Sequence, residues 1–232
     1  MGPESNGKKR LGGGGCGLAN LGTEREDECG IRLEPCTKMV LPDCFHAMRM
    51  KWANNCILYN RGIYPEESFA KVKKNGLPML LTQDEGVKSF ISKLTAQLSE
   101  WLETGKLQRV VLVIMSKATG EVLERWNFSI ETDREVVDKG VSREKSDKDI
   151  MREIQAIMRQ IASSITYLPC LDEPCVFDVL VYTDKDVAAP FTWIESDPKL
   201  ISNPQMVKLH SFDTKIHKVD TLVSYRNDEW DE

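Results

Sequence analysis

Ser142-Arg143-Glu144-Lys145 spells S-x-x-K, the opening of some serine acyl-transfer sites. Such a site needs the serine at a helix start beside a buried cleft, with an S-D-N or K-T-G companion. Neither companion occurs, and a solvated loop leading into a helix accounts for the motif. Cys170 and Cys175, each preceded by proline, have a spacing that could supply two zinc ligands, but no second pair follows. His210 and His217 fall on different predicted strands, and Cys29, Cys36, Cys44 and His46 form only a loose cluster. Zinc sites with four protein ligands show tighter paired spacing, so neither a metal nor a cofactor is expected. His217 reads as a sheet residue with a satisfied hydrogen bond. No phosphate loop, GxSxG elbow or HExxH is present. Arg152 and Arg159, with Gln155, share one polar helix face, which patterning alone reads as solvated. Trp101 and Trp126 have the spacing of core or interface residues, too sparse for a nucleic-acid stacking face.

These residues sit in a chain of 232, enough for one substantial domain and an extension. Its charged share of 29% and hydrophobic share of 41% fit a globular chain rather than a disordered one. A formal charge of -5 disfavours general nucleic-acid binding, and no apolar run approaches the ~18 residues of a membrane span. The start, MGPESNGKKR, lacks a secretory apolar core, and Asn6 stands where myristoylation wants Ser or Thr. The expected setting is the reducing cytosol or nucleus, with the seven cysteines as free thiols. Residues 1–42 carry the basic triplet Lys8 to Arg10, the run Gly12 to Gly15 and the acidic cluster Glu24 to Glu28 without a sustained period. That composition predicts a disordered or atypical extension before a domain over 43–232.

A helix is predicted from a cap at Asp43 through Phe45, Met48, Trp52 and Cys56 to Tyr59, with a turn at Arg61-Gly62. Thr82 and Glu85 form a capping box for a second helix carrying Val87, Phe90, Ile91, Leu94, Leu98, Trp101 and Leu102 and closed by Gly105. Val110 to Ile114 and Val122 to Ile130 make a hairpin about Thr119-Gly120. Ser146 and Asp149 cap a third helix whose stripe runs Ile150, Ile154, Ile157, Met158, Ile161, Ile165. A strand over Val176 to Tyr182 and a hairpin of Met206 to Phe212 with Lys215 to Tyr225, turning at Ser211 to Thr214, complete an α+β domain on a mainly antiparallel sheet.

Five blocks in fixed order, GIYPEESF, EVLERWNFSI, SREKSDKDIMREI, TYLPCLDEPCVFD and YTDKD, together with SFDTKIHKV, resemble the spindle-checkpoint branch of the HORMA-domain family. The resemblance covers about Asn54 to Tyr225. It implies three helices on a sheet and a C-terminal safety belt, roughly Val187 to Tyr225, that covers a sheet edge in an open form and crosses over in a closed form to trap a peptide. The trapping edge would be Phe177, Asp178, Val179, Leu180, Val181 and Tyr182. The belt residues are Trp193, Val207, Leu209, Phe212, Ile216, His217 and Val219. The same resemblance places an open–closed dimer surface at Arg159 and Gln160, with Tyr167, Glu124, Arg125, Trp126 and Thr183 beside it.

The implied role is non-enzymatic: delaying anaphase by binding closure-motif peptides of a kinetochore checkpoint adaptor and of the WD-repeat activator of the anaphase-promoting complex. A checkpoint pseudokinase complex and a remodelling AAA ATPase would be further partners, with no nucleic acid or membrane. The implied location is nucleus, kinetochore, nuclear envelope and cytoplasm. A HORMA adaptor of translesion polymerase or of the meiotic axis is the alternative within the fold, and a hydrolase using Ser142 and Lys145 the alternative outside it. Arg32 to Ala53 departs from the family pattern, which predicts a destabilised open form and points to a damaged core at the first helix. Ser211 and Thr221 in the belt are candidate phosphorylation positions.

Overall fold

The computed structural model describes residues 18–20, 44–74, 77–133, 146–214 and 216–226. Three helices, α1 (Cys44–Asn60), α2 (Glu85–Glu103) and α3 (Asp147–Ser164), cover one face of a sheet. Its strands are β1 (Leu18–Asn20), β4 (Leu107–Ser116), β5 (Val122–Thr132), β6 (Cys175–Thr183), β7 (Gln205–Lys208), β8 (Phe212–Asp213) and β9 (His217–Tyr225). The order is β1-β6-β4-β5-β9-β7, antiparallel throughout, with β8 also on β9. A separate two-stranded hairpin, β2 (Phe69–Lys74) with β3 (Leu77–Thr82), was not foreseen.

The middle of the sheet follows from residue type. Val110 to Ile114 are fully buried because β4 lies between β5 and β6 and is covered on both faces. Val110, Leu112 and Ile114 meet the helices, whereas Val111 and Val113 pack with Leu180, Met115 and Tyr182 on the other face. β-branched and aliphatic residues suit such a strand. Gly120, at φ +74, closes the β4–β5 turn in the left-handed region that glycine enters without a Cβ penalty.

Local hydrogen bonds fix both ends of α2 and the start of α3. Asp84, not a Thr82–Glu85 box, caps α2: its Oδ1 accepts from Val87 N at 2.8 Å, while Thr82 Oγ1 accepts from Asp84 N at 3.2 Å. At the far end, Lys106 N donates to Trp101 O and Gly105 N to Leu102 O, with Gly105 at φ +66, which is a Schellman closure. Ser146 caps α3, accepting from Asp149 N. The α3 stripe is buried at Ile150, Ile154, Ile157 and Ile161, but Ile165 lies past the helix end and is 45% exposed.

Among the residues whose side chains are described, the second half of α1 is buried on more than one face instead of along one stripe. Met50 and Trp52 to Leu58 are all buried, because α1 packs against α2, α3 and β3 together. This is the segment whose unusual sequence pointed to a damaged core; Met50 and Ala53 instead join the main cluster, and Trp52 packs with Met79, Ile150 and Ile154. Asn55 Oδ1 accepts from Thr82 N at 2.9 Å, tying β3 to the helix. Burial pushes the Cys56 thiol up to about 11, against a hydrogen bond from Asn60 that lowers it. Cys56 is therefore a neutral thiol, and alkylation at pH 8 should modify exposed Cys170 while sparing Cys56 until the protein unfolds.

Just beyond α1, Arg61 Nε donates to Glu124 Oε2 at 3.1 Å, and its Nη2 donates to Glu124 Oε1 and to the Pro169 carbonyl. Trp126 Nε1 donates to the same carboxylate at 3.1 Å. One guanidinium thus ties the end of α1 to β5 and to the chain after α3. Burial pushes the Glu124 carboxyl above its usual range, and Arg61 and Trp126 pull it back. Removing one member of a buried pair leaves the other uncompensated. Arg61→Met should cost about 3–5 kcal/mol in urea unfolding. Arg61→Met with Glu124→Met should cost much less than that single change.

Candidate binding edge and belt

β6 presents a finished strand with one side committed. Val179, Leu180 and Val181 are essentially inaccessible, and Phe177 and Asp178 are buried. Phe177, Val179 and Val181 lie in the helix-side core, where Tyr64 and Phe90 meet the Phe177 ring edge-on. Leu180 and Tyr182 face the other way, with the Arg109 guanidinium 5.3 Å from the Tyr182 ring centroid. β4 takes one edge of β6; the other is available for a strand and is paired with Leu18–Asn20. Leu18–Asn20 lies within the stretch expected to be a disordered or atypical extension.

The belt leaves β6 at Thr183. Asp184 N donates to Lys106 O at 3.0 Å, Gln108 Nε2 donates to Asp184 Oδ1 at 2.6 Å, and Lys106 lies 3.0 Å from Asp186. The hydrogen bond from Lys106 holds the exposed Asp186 carboxyl below its usual range. Trp193 is then buried edge-on against Trp101 of α2, centroids 5.0 Å apart. By Lys199, whose Nζ reaches Met115 Sδ at 3.6 Å, the chain is on the opposite face of the sheet. Lys199 (φ 46) and Asn203 (φ 47) sit in the left-handed region, a conformation costing a β-carbon-bearing residue about 1 kcal/mol or more.

The rest of the belt has crossed to the far side. β9 pairs with β5 from Glu124↔Tyr225 to Thr132↔His217, and β7 and β8 add outside it. The tight turn lies at Thr214 to His217, where Thr214 N donates to His217 O, and not at Ser211 to Thr214. Leu209, Phe212 and Val219 are buried in the main core, with Val207 half-buried against it. Ile216 is half-buried. His217, 2% exposed, shares a 3.0 Å hydrogen bond with Thr132 Oγ1, the satisfied sheet residue expected. Two α3 side chains hold belt backbone: Gln160 Oε1 accepts from His210 N at 2.7 Å, and Glu153 Oε2 from Asp213 N at 3.1 Å. Thr221 is fully buried, so a kinase would have to find it with the belt released.

The residues assigned to self-association do not share one surface. Arg159 is exposed on α3, and Tyr167 is 42% exposed just beyond it. Gln160 is half-buried and engaged with the belt. Glu124 and Trp126 are interior, paired with Arg61 and with each other, because their positions on β5 face the helices. Thr183 is buried at the end of β6. Arg125, one step along β5, faces the opposite side and lines a cleft with Arg109, Leu200 and Met206. Ser142 and Lys145 lie outside the described residues. Among the described residues no three His, Cys, Asp or Glu side chains are grouped to hold a metal.

The HORMA domain model matches residues 48–217, a span from within α1 to the first residue of β9. The chain belongs to the HORMA-domain family. It is 85% identical over 181 residues to the mitotic spindle checkpoint protein MAD2 of Arabidopsis thaliana, covering 78% of this chain and 87% of that protein. To the human mitotic spindle assembly checkpoint protein MAD2A it is 46% identical over 172 residues, 74% of this chain and 84% of that one. A chain in the crystal structure of the mitotic checkpoint complex superposes with a TM-score of 0.71 at 42% identity, over 80% of this chain and 98% of that chain. This HORMA protein is therefore of the spindle-checkpoint kind, an adaptor and not an enzyme.

The hydrogen bonds that Gln160 and Glu153 accept from belt backbone exist only while the belt lies on β5. Glu153→Ala with Gln160→Ala should weaken that placement by about 2 kcal/mol. Amide exchange over residues 207–214 should then quicken roughly thirtyfold, with α2 unchanged.

Proposed function

We propose that this HORMA protein delays anaphase by trapping closure-motif peptides of a kinetochore checkpoint adaptor and of the WD-repeat activator of the anaphase-promoting complex. The observation that carries the reading is the division of the sheet. The belt's strands add to β5, while the outer edge of β6 accepts an antiparallel strand and residues 184–204 join the two sides. An added strand gains ladder hydrogen bonds, and alternate side chains give selectivity. A belt anchored by Trp193 must be locally unfolded before a threaded peptide leaves, so release is slow.

In this reading the arrangement described is the closed form, and an open form has the belt on β6. The strained backbone at Lys199 and Asn203 and the few side-chain ties from α3 supply a small gap between the two packings, as a switch requires. Arg159 and Tyr167 form the exposed part of a surface on which an open copy docks. A checkpoint pseudokinase complex and a remodelling AAA ATPase are the further partners proposed, with action in the nucleus, at kinetochores and the nuclear envelope, and in the cytoplasm.

Arg159→Ala is expected to abolish self-association in sedimentation while leaving peptide capture intact; loss of both together would contradict the assignment. For the peptide itself, a fluorescent closure-motif peptide should remain bound for minutes or longer after dilution. Trp193→Ala should release it at least tenfold faster, since a buried tryptophan truncated to alanine loses about 3–5 kcal/mol. Equal release from both proteins would rule out belt entrapment.

A further inference from the structure

We infer that the N-terminal extension of this chain carries its own occupant for the β6 edge: Leu18–Asn20 is an intramolecular closure strand that competes with external peptides. The inference rests on the peptide-trapping reading of that edge and adds a regulator to it. Leu18 pairs with Tyr182, Ala19 with Val181 and Asn20 with Leu180, in antiparallel register. These partners are the C-terminal half of the Phe177–Tyr182 edge expected to receive the partner peptide. They adjoin Asp184, where the belt begins.

Three features make an internal competitor physically reasonable. The tether is long enough, since residues 21–43 between the strand and α1 can span up to ~75 Å when extended. A domain of this size has a radius of gyration of only ~16 Å. Tethering then converts binding into a closure with an effective concentration in the millimolar range. The contact is also short. Three paired residues offer far less ladder than a peptide running the length of β6, so the internal strand delays capture without preventing it.

Sequence fits the same role. Gly12 to Gly15 and Gly17 flank the strand on its N-terminal side, and Gly22 follows it, so the pairing residues Leu18, Ala19 and Asn20 are bracketed by glycines. Glycine resists extended pairing and confines the occupant to a short register. An edge left bare would present unpaired amides and carbonyls to other chains. Covering it with a weak internal strand protects the edge and still yields to a better ligand. Apparent affinity for an external peptide falls by the fraction of chains whose edge is vacant.

The test compares the full chain, a version lacking residues 1–20, and a full-length Leu18→Pro/Ala19→Pro variant, which cannot donate ladder hydrogen bonds at those positions. All three retain residues 44–226, which hold the helices and the rest of the sheet, and circular dichroism checks that each folds. The probe is a labelled closure-motif peptide of the WD-repeat activator, with its association rate read by fluorescence anisotropy and amide exchange read over residues 177–183. The expected result is association about tenfold faster for the deletion and the proline variant than for the full chain. Amides of β6 should lose protection in both altered proteins when no peptide is present. Equal association rates and equal protection in all three would overturn the internal strand. Peptide binding by none of them would overturn the trapping reading, while the exchange of residues 177–183 still decides the internal contact by itself.

Discussion

The pairing of β9 with β5 is the constraint on which the other arrangements depend. β4 is fully enclosed, so the sheet can grow only at its two sides, beyond β5 and beyond β6. A belt that takes the β5 side, with β7 and β8 following it, leaves β6 with backbone groups that need a partner. The same polypeptide therefore determines both where the belt lies and whether a second strand is admitted. Side chains reinforce the choice: Phe212, Val219 and Val223 enter the core from the β5 side, and His217 meets Thr132. Moving the belt to β6 would withdraw all of them at once, which makes the two placements discrete and not graded.

The remainder of the fold holds that sheet still while the belt chooses. Arg61 fixes α1 to β5 and to the chain after α3, so the strand that receives β9 is braced from behind by a buried ion pair. α2 contributes Trp101 to the Trp193 contact, and α3 contributes Gln160 and Glu153 to the belt backbone. The helices thus provide anchor points for the belt. Such a division suits a protein whose function is a change of strand partner.

Much of this was legible in sequence where burial follows a period. The β-branched run Val110 to Ile114, the α2 stripe and the Ser146 cap were read directly because local pattern and tertiary role agree there. α1 was readable as a helix, but the unbroken burial of Trp52 to Leu58 was not, since packing against three neighbours erases the stripe that periodicity detects. The β2–β3 hairpin was missed because Lys71, Lys73 and Lys74 and Pro78 hide its alternation. Nothing in the spacing of Arg61 and Glu124, sixty-three positions apart, marks them as partners. For the same reason Glu124 and Trp126 were placed on a surface that they only support from within. The edge strand and belt came from the family resemblance, because strand exchange leaves no reactive side chain for a motif search to find.

A disulfide across β5 and β9 tests the central claim most directly. Ser129 and Asp220 are opposite one another in the register, within the Cα separation that a disulfide bridges. Ser129→Cys with Asp220→Cys, oxidised after loading with labelled closure-motif peptide, would fix the belt where it lies. The account predicts that bound peptide stays through a long chase and leaves only after reduction. Exchange at the same rate in oxidised and reduced protein would mean that the peptide does not pass beneath the belt, and the account would fail.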